Sequence, residues 1–348
     1  MTNLSGSADL QIASVKRFSQ LSSGELTFWR DSVALNSRYQ RAFLTATFFE
    51  AVAKIDETAR VLVIYGGGEL IGLLPLRRHR SWVGRFGVYE PVAGQMTDYF
   101  GAIVAPGVVL DIQKILTIAG VGAIVFTHLD ESQTAIGLRG DGTRIGLRTV
   151  IAGTGNTHWE QLRTVDKKLV ADTERRERKL IAEHGDLNFE LQSTSPEEDL
   201  DELIRLKKAQ YTRTGKQDAV LFDESNSALL KGLLQSTALD CTGFLSVLRV
   251  NGKLVAAHFG LRCNDVLHFW FPVYAKEYSA FSPGRILYRY ILNEGSKVGI
   301  RVLDRGEGDT QAKRDFANEE HHFYDGLWQS NSVLGLVARL ALATYWRI

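Results

Sequence analysis

The residues best able to do chemistry lie between positions 265 and 316. Ser282-Pro283-Gly284-Arg285 opens a helical pattern. Ser282 suits an N-cap and Pro283 suits the first helical position. Ile286, Leu287, Tyr290 and Ile291 then form one apolar stripe, and Gly299 can close the helix. The first turn of a helix carries unbonded backbone N–H groups, so such a start beside a strand end is an anion site. Gly284 would let a diphosphate approach the backbone closely. The same residues also read as an ordinary capped helix in an α/β domain, and spacing alone leaves both readings open. The strand before this helix is 266–271, β-branched and aromatic. The strand after it, 299–304, ends on a carboxylate, Asp304.

The elements around this stretch follow from period and punctuation. Asn251-Gly252 joins strands 243–250 and 253–261 in a hairpin. In its second arm Val255, Ala257, Phe259 and Leu261 face one way. Ala256, His258, Gly260 and Arg262 face the other, a small polar face that a ligand could meet. Residues 196–211 and 225–236 read as helices, the first acidic at its start and basic later, as the helix dipole favours. Further upstream, 22–36 and 41–54 read as helices, and 61–65 and 70–75 as strands joined by Gly66-Gly67-Gly68. Those glycines are a turn and not a phosphate loop, because no helix follows them. Residues 109–119 form a helix and 123–127 a strand. The first half thus alternates as the second does, but its counterpart of the phosphate loop, Ala105-Pro106-Gly107, lacks a capping hydroxyl and a basic residue.

Between the halves, 158–184 is a helical run with the block Arg175-Arg176-Glu177-Arg178-Lys179. It reads as a solvated helix joining two domains, or as a basic face that holds an anionic substrate. The boundaries are an N-terminal domain at 1–156, a linking helix at 157–185, a second domain at 186–330 and an apolar helix at 331–348. That last helix packs on the protein or on a second chain, or lies on a membrane surface.

Composition bounds the function. The 348 residues carry a net charge of +1, which argues against a broad nucleic-acid footprint. Two cysteines, Cys241 and Cys263, exclude a disulfide scaffold and lack metal-ligand spacing. The first eight residues lack a signal-peptide core, and no apolar run is long enough to span a bilayer. A cytoplasmic protein, free or at the inner face of the membrane, is expected.

Four motifs in order resemble the GNAT acyltransferase superfamily, and within it the CelD-type (BioF2-like) acetyltransferases of bacterial polysaccharide biosynthesis, related to Fem-type transferases. Arg175 to Leu180 loosely follows the family's "RRxxRxL". Leu206-Lys207-Lys208-Ala209-Gln210-Tyr211 with Gly215 follows "LxKxxWxxxG", with Tyr for Trp. Ser282-Pro283-Gly284 matches "SPG". The run from Asp304 to Lys313 follows "DFxxGxxxYK", with Asp304, Gly308 and Lys313 in register. Arg305 and Ala312 depart from it where the acceptor should lie. The resemblance spans about residues 20–325.

The resemblance implies two GNAT-like α/β (α+β) domains, each a mixed sheet flanked by helices, around a shared cleft, with acyl-CoA bound only by the second. It implies that a splayed strand through Phe271 and Val273 bonds the pantetheine arm. Ser282, Pro283, Gly284 and Arg285 would then take the diphosphate. A backbone N–H near Val273, or a hydroxyl or a lysine, would meet the oxyanion, and Tyr274 would protonate the thiolate. Asp304 or His258 would act as base, directly or through water. Lys313 would hold the acceptor or stabilise the transition state, with Lys208, Tyr211 and Arg176 extending the acceptor site. The expected reaction is N-acyl transfer, acetyl foremost, from acyl-CoA to an amino sugar or saccharide intermediate, with no metal. The alternatives are a Fem-like aminoacyl transferase, a sugar O-acetyltransferase and a non-catalytic scaffold of an exopolysaccharide machine.

Overall fold

A computed structural model describes residues 10–216 and 220–347. The polar start at 1–8, read above as lacking a signal core, lies outside the described residues, as does Ile348. The chain divides into two compact units. One comprises residues 1–145 and 321–348, the other residues 146–320.

In chain order the first unit contains β1 (Leu10–Lys16), α1 (Ser23–Leu35), α2 (Ala46–Ile55), β2 (Ala59–Gly66), β3 (Glu69–Arg78), β4 (Val88–Pro91), β5 (Ile103–Val104), α3 (Ile112–Ile118) and β6 (Ala123–Asp130). β7 (Gly142–Val150) leads into the second unit. There follow α4 (Gly155–Val165), α5 (Lys167–His184), β8 (Leu187–Glu190), α6 (Pro196–Arg213), α7 (Glu224–Leu234), β9 (Thr242–Val250), β10 (Lys253–Cys263), β11 (Val266–Tyr274), α8 (Pro283–Lys297), β12 (Val302–Glu307) and α9 (Gln311–Arg314). β13 (Glu319–Gln329) and α10 (Val333–Tyr345) return to the first.

The first unit orders its strands β1-β2-β3-β4-β6-β13, with β5 on β3. All of these pairs are antiparallel except β4–β6. Gly67 and Gly68 both adopt positive φ in the turn between β2 and β3, the hairpin that the three glycines announced. α10 buries Gly335, Ala338, Ala341 and Leu342 against Val83, Val88 and Ala123, while Val333, Leu336 and Leu340 remain exposed. Among the described residues no helix is long and apolar enough to cross a membrane.

The second unit orders its strands β7-β12-β11-β10-β9-β8, antiparallel except for β11–β12. Residues 157–185, read as one linking helix, are two helices belonging to this unit. The chain turns at Asp166, whose side chain accepts from the Leu169 N–H and caps α5. α5 buries Leu169, Val170 and Leu180, and with α8 covers one face of the sheet over Phe244, Leu248, Leu267 and Phe269. Both units are therefore mixed sheets with helical cover, the α/β class expected.

Candidate active site

The pairing of β11 positions the site. β11 runs beside β12 for three pairs only, Val266–Val302, Leu267–Leu303 and His268–Asp304. Its ladder with β10 continues to Tyr274–Ala256, across a register shift between Phe259 and Leu261. A bulge bends the strand that carries it, and here it coincides with the residues at which β11 leaves β12. The edge of 269–274 on the β12 side is thus outside the ladder.

Which backbone groups face that edge follows from parity. The Ala275 N–H bonds the Val255 carbonyl at 3.0 Å, so odd-numbered residues turn their backbone toward β10. Trp270, Pro272 and Tyr274 turn theirs toward the opening. Pro272 has no N–H to lose there, which is where a strand tolerates proline. Phe271 and Val273, read from sequence as the cofactor-bonding pair, are buried and partner Phe259 and Ala257. The groups at the open edge lie one residue to either side of them.

The strand then passes through a short 3-10 turn, Lys276–Phe281, into α8. Pro283 occupies the first turn as the sequence predicts, but Ser282 does not cap through its hydroxyl. It sits in the left-handed region at φ 51°, and its carbonyl accepts from the Arg285 N–H at 2.9 Å. That conformation costs an L-residue about 1–2 kcal/mol. A Cβ built on Gly284 would meet nothing within 4 Å. Arg285 pairs with Asp315 at 2.8 Å and Asp172 at 3.6 Å. These three, with Lys168, Arg175 and Arg176, line a surface depression of about 570 Å³.

The basic block is not a uniform cationic face. Arg176 donates to Asp172 at 2.7 Å and to the Ala280 carbonyl at 2.5 Å, tying α5 to the turn before α8. Hydrogen bonds from Arg176, then Arg175, hold the Asp172 carboxyl below its ordinary range. Glu177, inside the block, accepts from Arg289 at 2.6 Å and from the Tyr290 hydroxyl at 2.7 Å.

Asp304, His258 and Lys313 are all structurally engaged. Asp304 is 1% exposed, accepts from the Gly306 N–H at 2.8 Å and lies 3.7 Å from His268 Nδ1. His258 is fully buried and stacks on Phe269 at 3.8 Å between ring centroids. The polar face on which it was placed is covered by α8 and so is not a surface. Neither ring nitrogen finds a partner among the described residues. Burial first, then His268 and Arg305, pushes its pKa well below the ordinary value. The Lys313 ammonium donates to the Arg305 carbonyl at 2.6 Å and to that of Glu307, closing the 305–313 loop. Arg305, the departure from the family motif, lies over the Tyr288 and Phe269 rings at 4.9 and 5.6 Å and donates to the Ala312 carbonyl at 2.7 Å.

At the open edge itself stand Tyr274, 37% exposed, and a residue that the sequence reading passed over. The Lys207 ammonium, from α6, donates to the Pro272 carbonyl at 2.8 Å and lies 5.4 Å from the Tyr211 ring centroid. Burial, then Lys216, pushes its pKa down to about 8. Lys208, the choice from sequence, is half-buried on the next position of the helix. Helical phase narrows the choice without making it: Leu200, Leu203 and Ile204 are buried, and 207, 208 and 211 all continue that stripe. No cluster of three or more His, Cys, Asp or Glu able to hold a metal occurs among the described residues.

Residues 167–314 match the acetyltransferase (GNAT) domain family. Among solved structures, FemX is 10% identical with a TM-score of 0.56, covering 85% of this chain and 93% of that one. A conserved protein of unknown function from Bacteroides thetaiotaomicron is 12% identical, TM-score 0.51, covering 89% and 98%. The C-terminal domain of a putative lysylphosphatidylglycerol synthetase from Agrobacterium fabrum is 12% identical, TM-score 0.51, covering 92% and 96%. At these identities the likeness is one of fold. No curated protein sequence matches this one.

Proposed function

We propose that this acyltransferase, whose residues 167–314 form a GNAT domain, moves an acyl group from a coenzyme A thioester to an amine. The observation that carries the reading is the parting of β11 from β12 after three pairs, beside the start of α8. A strand edge outside its ladder can pair with the amide groups of a pantetheine arm. The first turn of α8 with Gly284 and Arg285 suits the diphosphate at the arm's other end, because nothing occupies the space beside Gly284. The acceptor amine attacks the thioester carbon, the C–S bond breaks, and the departing thiolate takes a proton, for which Tyr274 at the edge is the proposed donor; the proton lost by the amine restores that donor.

Asp304 and His258 fit this scheme as groups that shape the site from beneath the strands, since both are buried. Lys313 fits as the lock of the 305–313 loop. The acceptor class, an amino sugar or saccharide intermediate of polysaccharide synthesis, rests on the CelD-type resemblance. The test is calorimetry with acetyl-CoA, followed by a mass-spectrometric screen of amino sugars and nucleotide sugars for acetylated product. Saturable binding of acetyl-CoA and one acetylated amine are expected. A folded protein that does not bind acetyl-CoA at millimolar concentration would sink the reading.

A further inference from the structure

The open edge has a gap in its donors. Along 269–274 the groups turned to the opening belong to Trp270, Pro272 and Tyr274, and the middle one has no N–H. The chain fills that position from another element, because Lys207 reaches across from α6 and sets its ammonium on the Pro272 carbonyl at 2.8 Å. An ammonium has three N–H donors and no acceptor, so this bond leaves two for whatever enters the edge. The Tyr211 ring at 5.4 Å supports the cation, and Lys216 is the charged neighbour that acts on it. Tyr274 is the other titratable group on this edge.

We propose that Lys207 is a catalytic residue, the donor that holds the thioester oxygen of bound acyl-CoA as it becomes an oxyanion. The inference rests on the acyl-CoA reading above and assigns that site a donor at position 272, where its backbone has none. In the step, the acceptor nitrogen bonds to the carbonyl carbon and the carbonyl π pair moves to oxygen, where the Lys207 N–H bonds strengthen. The pair returns as the C–S bond breaks, and the proton lost by the amine balances the one gained by the thiolate. Lys207 stays protonated throughout. A donor that already polarises the bound carbonyl and strengthens as charge develops lowers the barrier by more than it tightens the ground state. Its lowered pKa, about 8, then sets an upper pH limit on the active form.

The experiment needs no knowledge of the acceptor. Acetyl-CoA labelled with ¹³C at the carbonyl is bound to the full-length protein, and its carbonyl resonance is followed from pH 6.5 to 9.5. A downfield displacement that disappears with a midpoint near pH 8 is expected. Lys207→Met should abolish the displacement while acetyl-CoA still binds. Lys207→Arg, which keeps a donor that does not titrate in this range, should keep the displacement to pH 9.5. A resonance that is the same in wild type and Lys207→Met, both saturated, overturns the proposal. So does a loss of affinity for free CoA in Lys207→Met, which would put the ammonium on the pantetheine arm. Failure of the wild type to bind acetyl-CoA is a separate result that removes the acyl-CoA reading first.

Discussion

Gly284→Asp separates what the start of α8 does for the fold from what it does for a ligand. The backbone at Gly284 is not left-handed, and a Cβ there meets nothing within 4 Å, so the side chain enters open space. Aspartate is a better helix residue than glycine, and a carboxylate in the first turn faces the positive end of the helix dipole. Together these contribute about 0.5–1 kcal/mol of stability. Against a bound diphosphate the same carboxylate is a like charge at contact range. At 4 Å and an effective dielectric constant near 20, the repulsion is about 4 kcal/mol, or on the order of 10³ in affinity. The variant should therefore melt slightly higher than wild type and bind acetyl-CoA about a thousandfold more weakly. Gly284→Ala should share the gain in stability without the added charge repulsion. Thermal melts and titration calorimetry on the three proteins read both effects. A Gly284→Asp protein that is stabilised as expected and binds acetyl-CoA with wild-type affinity would refute the diphosphate assignment, because folding could not be blamed.

Two further outcomes concern the groups under the site. The His258 pKa lies below its unfolded value, so the unfolded chain binds a proton that the folded chain refuses once pH falls below about 6.5, and stability drops by about 1.4 kcal/mol per pH unit in that range. His258→Phe should flatten this slope in denaturant titrations at pH 7.5 and 5.5; the part that remains reports His158, also depressed by burial. An unchanged slope would mean that His258 is not the group refusing the proton. Lys313→Met removes the donor shared by two loop carbonyls and should cost about 1.5–3 kcal/mol in unfolding free energy while leaving acetyl-CoA affinity intact. Full stability with a changed acceptor KM would move Lys313 from the loop to the acceptor.

Local signals in the sequence carried far, and long-range pairing marks where they stopped. Pro283 in the first turn of α8, the glycines of the β2–β3 turn and the β9–β10 hairpin each depend on a few neighbouring residues, and each was legible. The alternation that grouped His258 with Ala256 and Gly260 was real, but only the packing of α8 decides that this face is buried. The open edge at 270, 272 and 274 depends on a register shift against β10 and on where β12 leaves, neither of which is local. Pro272 was a clue left unread: a proline inside a strand pattern marks a position whose N–H no neighbouring strand needs. Lys207 and Lys208 are indistinguishable by type and both follow the buried stripe of α6, so only the tertiary contact with Pro272 picks between them.

The division of the chain has a consequence for its synthesis. The unit at residues 146–320 is one continuous segment, whereas the other is assembled from residues 1–145 and 321–348. As the chain leaves the ribosome, the continuous unit has all its strands in hand while the earlier one still lacks β13, the antiparallel partner of β6. The segment made first is thus the last to finish, and until then β6 presents an unfilled edge. A stop codon just past residue 320 would take most of β13 and all of α10 from the unit translated first.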